Sequence, residues 1–321
     1  MPKCKTQSEC NPFLYSDTNK RYYTYDYYLR KTYGGKCVKI PLDAGFSCPN
    51  RENGGTGCIY CSSRGSGDFT ESASLSVFEQ YCRLREKMSK KWEIDRCIPY
   101  LQAYTNTYAP VDTLRRIYGE VLSLPDAVAF HIATRADCLP SEVLTLFSEV
   151  SLSIPLTVEL GLQTANDKTA EKIGRGHDFA TFLSGFYALR ERVPKARIAV
   201  HLINGLPNED RETMLSTAKA LSPLCPDEVK IHLLYVLRGT PLAKLYEAGA
   251  YTPLSRDEYI ETVVRQLELL PPETVVARLT GDGDETDLLA PLWSKKKVTV
   301  LNDIDKLMYE RNTYQGRLYT K

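Results

Sequence analysis

The sequence predicts an α/β fold built as a partial (β/α)6 barrel with small N- and C-terminal appendages. Two observations carry that expectation. Six short β-branched or apolar runs alternate with helix-like stretches between residues 37 and 234, the pattern of parallel strands joined by crossover helices. Each run is followed by a small polar or glycine-containing cluster, as expected where strand ends gather at the working face of a curved or closed barrel.

The runs, in order, are Cys37–Leu42, Arg96–Ala103, Ala127–Ala133, Leu156–Leu160, Arg197–Ile203 and Glu228–Leu234. Helical periodicity is read over Ser74–Lys90, Val111–Leu122, Pro140–Val150, Asp167–Lys172, Phe179–Arg192 and Glu209–Leu221. A further helix over Ser255–Leu269 and a run at Val275–Leu279 are expected to extend the sheet or its edge. These elements set three expected regions: a polar, aromatic segment over 1–36, the barrel over 37–279 and a C-terminal extension over 280–321. There is no internal repeat and no low-complexity linker.

Composition is that of a folded chain, with 25% charged and 43% hydrophobic residues and a net charge of +1. A global field therefore gives no reason to expect nucleic acid, and any such binding must rest on local patches. The first residues lack an apolar signal core, and no stretch approaches the ~18 apolar residues of a membrane span; the expectation is a cytoplasmic protein. Ten cysteines are many for a compartment where disulfides rarely persist. Cys82, Cys97, Cys138 and Cys225 read as small buried hydrophobes, and Cys4 and Cys10 lie in a polar leader with no assigned role. Only Cys48, Cys58 and Cys61 are grouped in a segment suited to ligation.

That segment, Gly45 to Cys61, follows the first strand directly. Three thiolates fall short of the four ligands of a closed zinc site, although a fourth donor from elsewhere leaves zinc open. On a [4Fe–4S] cube three cysteines leave one iron free to bind substrate, and soft thiolates suit either metal. Gly54, Gly55 and Gly57 permit the tight wrapping that a cluster needs.

The C-x9-C-x2-C triad, with the aromatic Tyr60 before its last cysteine, resembles the cluster loop of radical SAM proteins of the YhcC/MnmL-like group, relatives of the elongator catalytic subunit. The longer first gap departs from the commonest spacing, C-x3-C-x2-C, and narrows the match to this subgroup. The resemblance extends from Arg21 to the C-terminus through CVKIPLDAGFSCPNR, QAYTNTYAPV, TRADCL, ELGLQT, INGLPNE and RLTGDG. It implies a [4Fe–4S] cluster on Cys48, Cys58 and Cys61 that cleaves S-adenosylmethionine to a 5′-deoxyadenosyl radical, with one electron from an external flavodoxin or ferredoxin.

The other strand ends follow from the same comparison. Tyr60 is expected beside the cofactor, and Gln102, Tyr104 and Asn106 where the family contacts the methionine amino group; by themselves they read as an ordinary turn. Arg135 and Asp137 suit a carboxylate, a ribose or a mutual salt bridge. Glu159 in an apolar strand needs a partner and is expected to face the interior; the resemblance sets it, with Gln163, near the ribose. Gly205 is expected to let backbone approach adenine. Arg175-Gly176-His177 resembles an elongator element, and its histidine reads as solvated. His201 and His232 read as inward strand histidines satisfied within the core.

No second cysteine constellation and no acetyltransferase-sized extension is present, which disfavours methylthiotransferase chemistry and acetyl transfer. The resemblance implies a tRNA wobble uridine whose 5-carboxymethylaminomethyl group becomes 5-aminomethyl. Arg21–Lys31, which interleaves tyrosines with basic residues, and Lys295–Lys297 with Arg311 and Arg317 are the residues suited to stacking and phosphate contact; a solvated surface with packed tyrosines is the equal alternative. Two other classes stay open: a radical SAM enzyme acting on a small molecule or peptide, and a zinc-stabilised RNA-binding protein without radical chemistry.

Overall fold

The computed structural model describes residues 13–320 apart from 53–54, 66, 68, 92 and 282–285. Seven strands form one parallel sheet in the order β1-β2-β3-β4-β5-β6-β8. They are β1 (Val38–Leu42), β2 (Cys97–Leu101), β3 (Phe130–Thr134), β4 (Leu156–Gln163), β5 (Arg197–Asn204), β6 (Glu228–Leu233) and β8 (Val275–Arg278). Two short strands, β7 (Val236–Leu237) and β9 (Leu288–Ala290), pair antiparallel beyond it. The helices are α1 (Tyr25–Tyr33), α2 (Val77–Ser89), α3 (Val111–Leu122), α4 (Ser141–Ser153), α5 (Asp167–Lys172), α6 (Phe179–Arg192), α7 (Arg211–Leu221), α8 (Pro241–Glu247), α9 (Arg256–Leu269) and α10 (Lys297–Glu310). The sheet is a curled half-barrel, as the sequence predicts, and its seventh strand is the run at Val275 that was expected to extend the edge.

Side-chain alternation divides the sheet into two faces. Leu156, Val158, Leu160 and Leu162 of β4, with Ile198, Val200 and Leu202 of β5 and Val229, Ile231 and Leu233 of β6, are at most 2% exposed and pack against the helical layer. The other face carries Lys39, His131, Glu159, His201 and Lys230 on β1, β3, β4, β5 and β6. All four basic or imidazole side chains reach the single carboxylate of Glu159. Only a strongly curled sheet lets its first and sixth strands meet over the fourth, so this polar face is the lumen.

The N-terminal segment closes the bottom of that lumen. Thr24 caps α1 by accepting from the Tyr27 amide, and left-handed Gly34 ends it. Tyr28 and Leu29 then pack on Ile98, Ala129 and Val275 at the N-terminal ends of the strands. At the other terminus Val300, Ile304 and Met308 of α10 are fully buried in the main core. The helix starts at α2 and α9 carry reciprocal Ser76–Glu79 and Ser255–Glu258 capping boxes, which satisfy amide groups otherwise left open.

Two cysteine expectations are corrected. Cys97 and Cys138 are buried, but Cys82 and Cys225 are exposed. The inner face of α2 is set by Val77, Gln80, Tyr81 and Leu84, which turns Cys82 outward. Cys225 closes the turn after α7 in a left-handed conformation, φ 45°. Cys4 and Cys10 lie outside the described residues. Among the described residues no helix is long and apolar enough to cross a membrane.

Candidate active site

The C-terminal strand ends bring the cysteine loop together with Tyr104, Arg135 and the Arg175 turn. Cys48 precedes a short 3-10 turn over Pro49–Arg51, and the Cys61 amide donates to the Cys58 carbonyl at 2.9 Å. The intervening Ile59 is tied on both sides, its amide donating to Ile173 at 3.0 Å and its carbonyl accepting from Leu242 at 2.9 Å. Gly57, φ 82°, turns the chain so that its amide reaches the Asn50 carbonyl at 3.0 Å. A β-carbon on Gly55 would meet that same carbonyl at 2.3 Å, so the loop wraps on itself as the glycines suggest. Gly54 lies outside the described residues.

Asn50 is the centre of the loop's attachment. Its amide nitrogen donates to the carbonyls of Gly174 and Arg175 at 2.9 and 2.8 Å and approaches the Cys58 sulfur at 3.5 Å. Arg135 donates to the Arg175 carbonyl at 2.8 Å, and its Nη1 lies 3.9 Å from the Cys48 sulfur. The Cys48 sulfur acts on the Cys58 thiol, and both Cys48 and Cys61 act on the Tyr104 phenol; the three sulfurs thus share one locality. Burial pushes the Cys58 thiol up, opposed by the Asn50 hydrogen bond.

Among the described residues no three His, Cys, Asp or Glu side chains converge closely enough to hold one metal ion. A tetrahedral zinc would bring thiolates to about 3.8 Å of each other, given a Zn–S bond of about 2.3 Å. Cysteines bound to three different corners of a cube stand farther apart. Three thiols on one loop, two of them facing N–H donors, are a donor set that a [4Fe–4S] cluster takes, and hydrogen bonds to the sulfurs stabilise thiolate ligands.

The remaining expected residues fall into two groups. Tyr104, Arg135, Asp137 and Tyr60 border the cysteine loop. Tyr104, φ 59°, donates its hydroxyl to the Ser63 carbonyl, and its ring covers Gly65 so closely that a β-carbon there would lie 2.2 Å away. Arg51 sits 5.3 Å from the centre of that ring. Arg135 and Asp137 form a two-pronged pair at 2.9 and 2.6 Å. Burial drives the Tyr60 phenol well above its usual range.

Asn106, Glu159 and Gly205 are spent on the chain itself. The Asn106 amide donates to three backbone carbonyls, Leu101, Ala103 and Ala133, at 2.9–3.1 Å, and stitches β2 to β3. Glu159 faces the interior as predicted, but both oxygens are filled. Lys39 and His131 take Oε1, while Lys230 and His201 take Oε2, using about four lone-pair positions and leaving none for a ribose. The Gly205 amide meets the Met214 sulfur at 3.3 Å and its carbonyl accepts from Tyr251 at 2.8 Å, so its backbone edge is occupied. Gln163 ends β4 in a left-handed conformation at φ 65°, beside a register shift, and the Gln102 amide donates to the Leu42 carbonyl at 3.0 Å.

His177 is not solvated. Its ring is buried, accepts from Arg175 Nη2 at 2.6 Å and donates from Nδ1 to the Asp178 carbonyl at 3.1 Å. Desolvation and the Arg175 charge pull its pKa to about 4, so the ring is neutral, as its acceptor role requires. Arg175 is 3% exposed, donates to the Gly161 carbonyl, and is lowered by burial to about 10. Asn50 is a site residue that the sequence did not single out, and Arg175, noted there as part of an elongator-like element without a role, is tied to the cysteine loop through Asn50 and Arg135. A cleft of about 800 Å³ opens beside the mouth, lined by Glu52, Tyr108, Asp137, Cys138 and Thr181.

A curled parallel half-barrel with three thiols in a glycine-rich loop at its mouth is the build of an enzyme that opens a substrate on a cluster. The chain belongs to the radical SAM superfamily, whose family model matches residues 47–221, followed by the Radical SAM C-terminal domain over 226–310. Members of this family are enzymes that use a [4Fe–4S] cluster and S-adenosylmethionine, and so does this chain. It is 45% identical over 315 residues to protein YtqA of Bacillus subtilis, covering 97% of each chain. It is 34% identical over 293 residues to protein YhcC of Escherichia coli, covering 90% of this chain and 93% of that one. The tRNA uridine(34) acetyltransferase of Methanocaldococcus jannaschii is 27% identical over 158 residues, 48% of this chain and 28% of that protein. The fold is similar to that of Elp3 from Methanocaldococcus infernus, with a TM-score of 0.67 and 17% identity over 87% of this chain and 64% of that one. The expected group, YhcC-like proteins with elongator relatives, is the one these comparisons support, and the zinc reading without radical chemistry falls with the family match.

Proposed function

We propose that this enzyme converts the 5-carboxymethylaminomethyl group of a tRNA wobble uridine to 5-aminomethyl, with Cys48, Cys58 and Cys61 holding the cluster. The observation that carries the reading is the likeness, over about half of the chain, to a protein named for tRNA uridine 34. With S-adenosylmethionine bound, the cluster supplies a 5′-deoxyadenosyl radical able to take a hydrogen atom from an unactivated carbon.

The chain's own residues then do the positioning. Asn50 and Arg135 direct N–H groups at the sulfurs of Cys58 and Cys48, and both favour the thiolate form of Cys58. Tyr60, Gln102, Tyr104 and Gln163 are the residues we assign to the rim around S-adenosylmethionine, with the Arg135–Asp137 pair fixing the wall beside it. Asn106 and Gly205 act one step back, holding backbone in place. The closed lumen below keeps water from the reactive carbon. The cleft by Tyr108 and Asp137 has the volume of a small-molecule site and is the assigned entry for the nucleotide. The electron comes from an external one-electron donor, flavodoxin or ferredoxin, in the cytoplasm.

A small-molecule substrate is the second reading, and one observation favours it. Three arginines among the residues expected to meet RNA are engaged within the chain, Arg30 with Asp17 and Asp26, Arg311 with Glu261, and Arg317 with Glu268, while Lys295 and Lys296 are exposed. Tyr15 stacks on Tyr23 with centroids 4.5 Å apart. Mass spectrometry of tRNA nucleosides from a deletion strain separates the two. Accumulated 5-carboxymethylaminomethyluridine is expected; unchanged wobble uridines, with turnover on a free metabolite, would remove the tRNA reading.

A further inference from the structure

Among the described residues, the lumen above Glu159 holds more cationic than anionic side chains. Residues 228, 230 and 232 of β6 share the inward face, because Val229, Ile231 and Leu233 are buried against the helices. At the lowest level Glu228 is neutralised by Arg197, with Nε to Oε1 at 3.1 Å. Glu159 lies level with it across Ala199. One step higher, Lys230 pairs in register with His201. His232 stands a further step up, opposite Ile203 and about 7 Å nearer the mouth.

Counting charges, Lys39 and Lys230 share one carboxylate, and its remaining two lone pairs go to His131 and His201. Among the described residues, two ammonium groups thus share one hydrogen-bonded carboxylate, Lys39 being 22% exposed and Lys230 only 7%. Burying a charge without a partner is costly. Desolvation, joined by the nearby charges of Lys39 and Arg278 and opposed by Glu159, pulls the Lys230 pKa down to about 7. His232 lies directly above, its ring 5.1 Å from that of His201. Its Nε2 is buried with no hydrogen-bond partner. The groups facing this space from the other strands are Tyr100, whose ring lies 4.7 Å from the Lys230 ammonium, and Arg278. Neither brings negative charge.

An inward imidazole with an open nitrogen, above two ammonium groups that share one carboxylate and below the cluster loop, is a receptor for an anion. We infer that His232, with Lys230 and His201 beneath it, holds the carboxylate of the substrate's side chain in the upper lumen. The inference rests on the proposed function, which supplies a substrate with a glycine-like carboxylate next to the carbon that reacts. An anchored carboxylate would fix that methylene toward the mouth, and the anion would restore full charge on Lys230. The assignment also gives a role to the unpaired Nε2 of His232, whereas His201, level with Lys230, already bonds Glu159.

The test uses cluster-loaded enzyme with saturating S-adenosylmethionine, so that the cofactor's own carboxylate is already placed. Anticodon stem-loops bearing 5-carboxymethylaminomethyluridine or its methyl ester are compared in binding and turnover. The wild type should prefer the acid by roughly 10- to 100-fold, the range for one charge-assisted hydrogen bond. His232→Leu should erase that preference while leaving iron content and uncoupled 5′-deoxyadenosine formation unchanged. Equal use of acid and ester by the wild type overturns the carboxylate site and leaves the uridine reading standing. Equilibrium dialysis of radiolabelled N-methylglycine provides the converse arm. If no stem-loop binds but N-methylglycine is held by the wild type and lost in His232→Leu, the uridine reading fails and the anion site stands. If N-methylglycine is bound only when S-adenosylmethionine is omitted, the site belongs to the cofactor's carboxylate and the inference is wrong.

Discussion

Replacing Glu159 by glutamine removes the one negative charge on which four strands converge. The side chain is fully buried, with Lys39 and His131 on one oxygen and Lys230 and His201 on the other. Glutamine keeps the volume but leaves two ammonium groups facing each other, one 22% exposed and the other 7%. Breaking a buried ion pair in this one-sided way costs about 3–5 kcal/mol. In a chain of 321 residues that corresponds to a drop in Tm of roughly 4–7 °C. Urea unfolding followed by circular dichroism measures it, and Lys230→Met in the Glu159→Gln background should recover part of the loss. A Glu159→Gln protein within about 1 kcal/mol of the wild type would refute the claim that this carboxylate holds the barrel's interior charges together.

Three further outcomes are expected. Stability should fall as pH drops from about 6.5 toward 4. His131, His201 and His177 are lowered by burial to about 3, 4 and 4, so the unfolded chain binds more protons than the folded one across that window; a flat profile in urea titrations at several pH values would contradict their burial as neutral rings. Asn50→Ala should leave folding largely intact but speed cluster loss, because three donor contacts go at once; the decay of visible absorbance after anaerobic reconstitution reads this, and an unchanged rate would deny Asn50 its clamp. Gly176→Ala puts a β-carbon 2.3 Å from Asn50 Oδ1 at a φ of 86°, so it should weaken cluster retention as Asn50→Ala does and cost about 1–3 kcal/mol besides; wild-type Tm and retention would show the turn can yield.

The strand frame was legible because a parallel sheet buried on its helical side writes apolar residues at every second position. The helices Val111–Leu122, Asp167–Lys172 and Phe179–Arg192 fall where periodicity puts them. Helix α1 was not foreseen, although Thr24, Gly34 and the spacing of Tyr25, Tyr28 and Leu29 were all available. A tyrosine-rich basic stretch reads equally well as a surface for bases, and only the open barrel bottom decides that it is a plug. The same holds for α10, whose lysine-led start hides Val300, Ile304 and Met308.

The cysteine loop announced itself because its three thiols and glycines are close in sequence. Asn50 and the role of Arg175 did not, since their meeting depends on the turn after α5 folding back over the loop. Among the lumen charges, Glu159 stood out as a carboxylate in an apolar strand, yet its partners Lys39 and Lys230 lie on the first and sixth strands. No local pattern encodes how far a sheet curls. Reading the ribose into Glu159 failed for that reason: the side chain already had four partners that only the closed geometry brings to it.

The most direct test of the account is iron and 5′-deoxyadenosine measured together on the wild type and on the Cys48→Ala, Cys58→Ala, Cys61→Ala triple variant after anaerobic reconstitution. The wild type should bind about four irons and release 5′-deoxyadenosine from S-adenosylmethionine on reduction, and the folded triple variant should do neither. A triple variant that retains the iron and still cleaves S-adenosylmethionine would contradict the assignment of these three cysteines to the cluster.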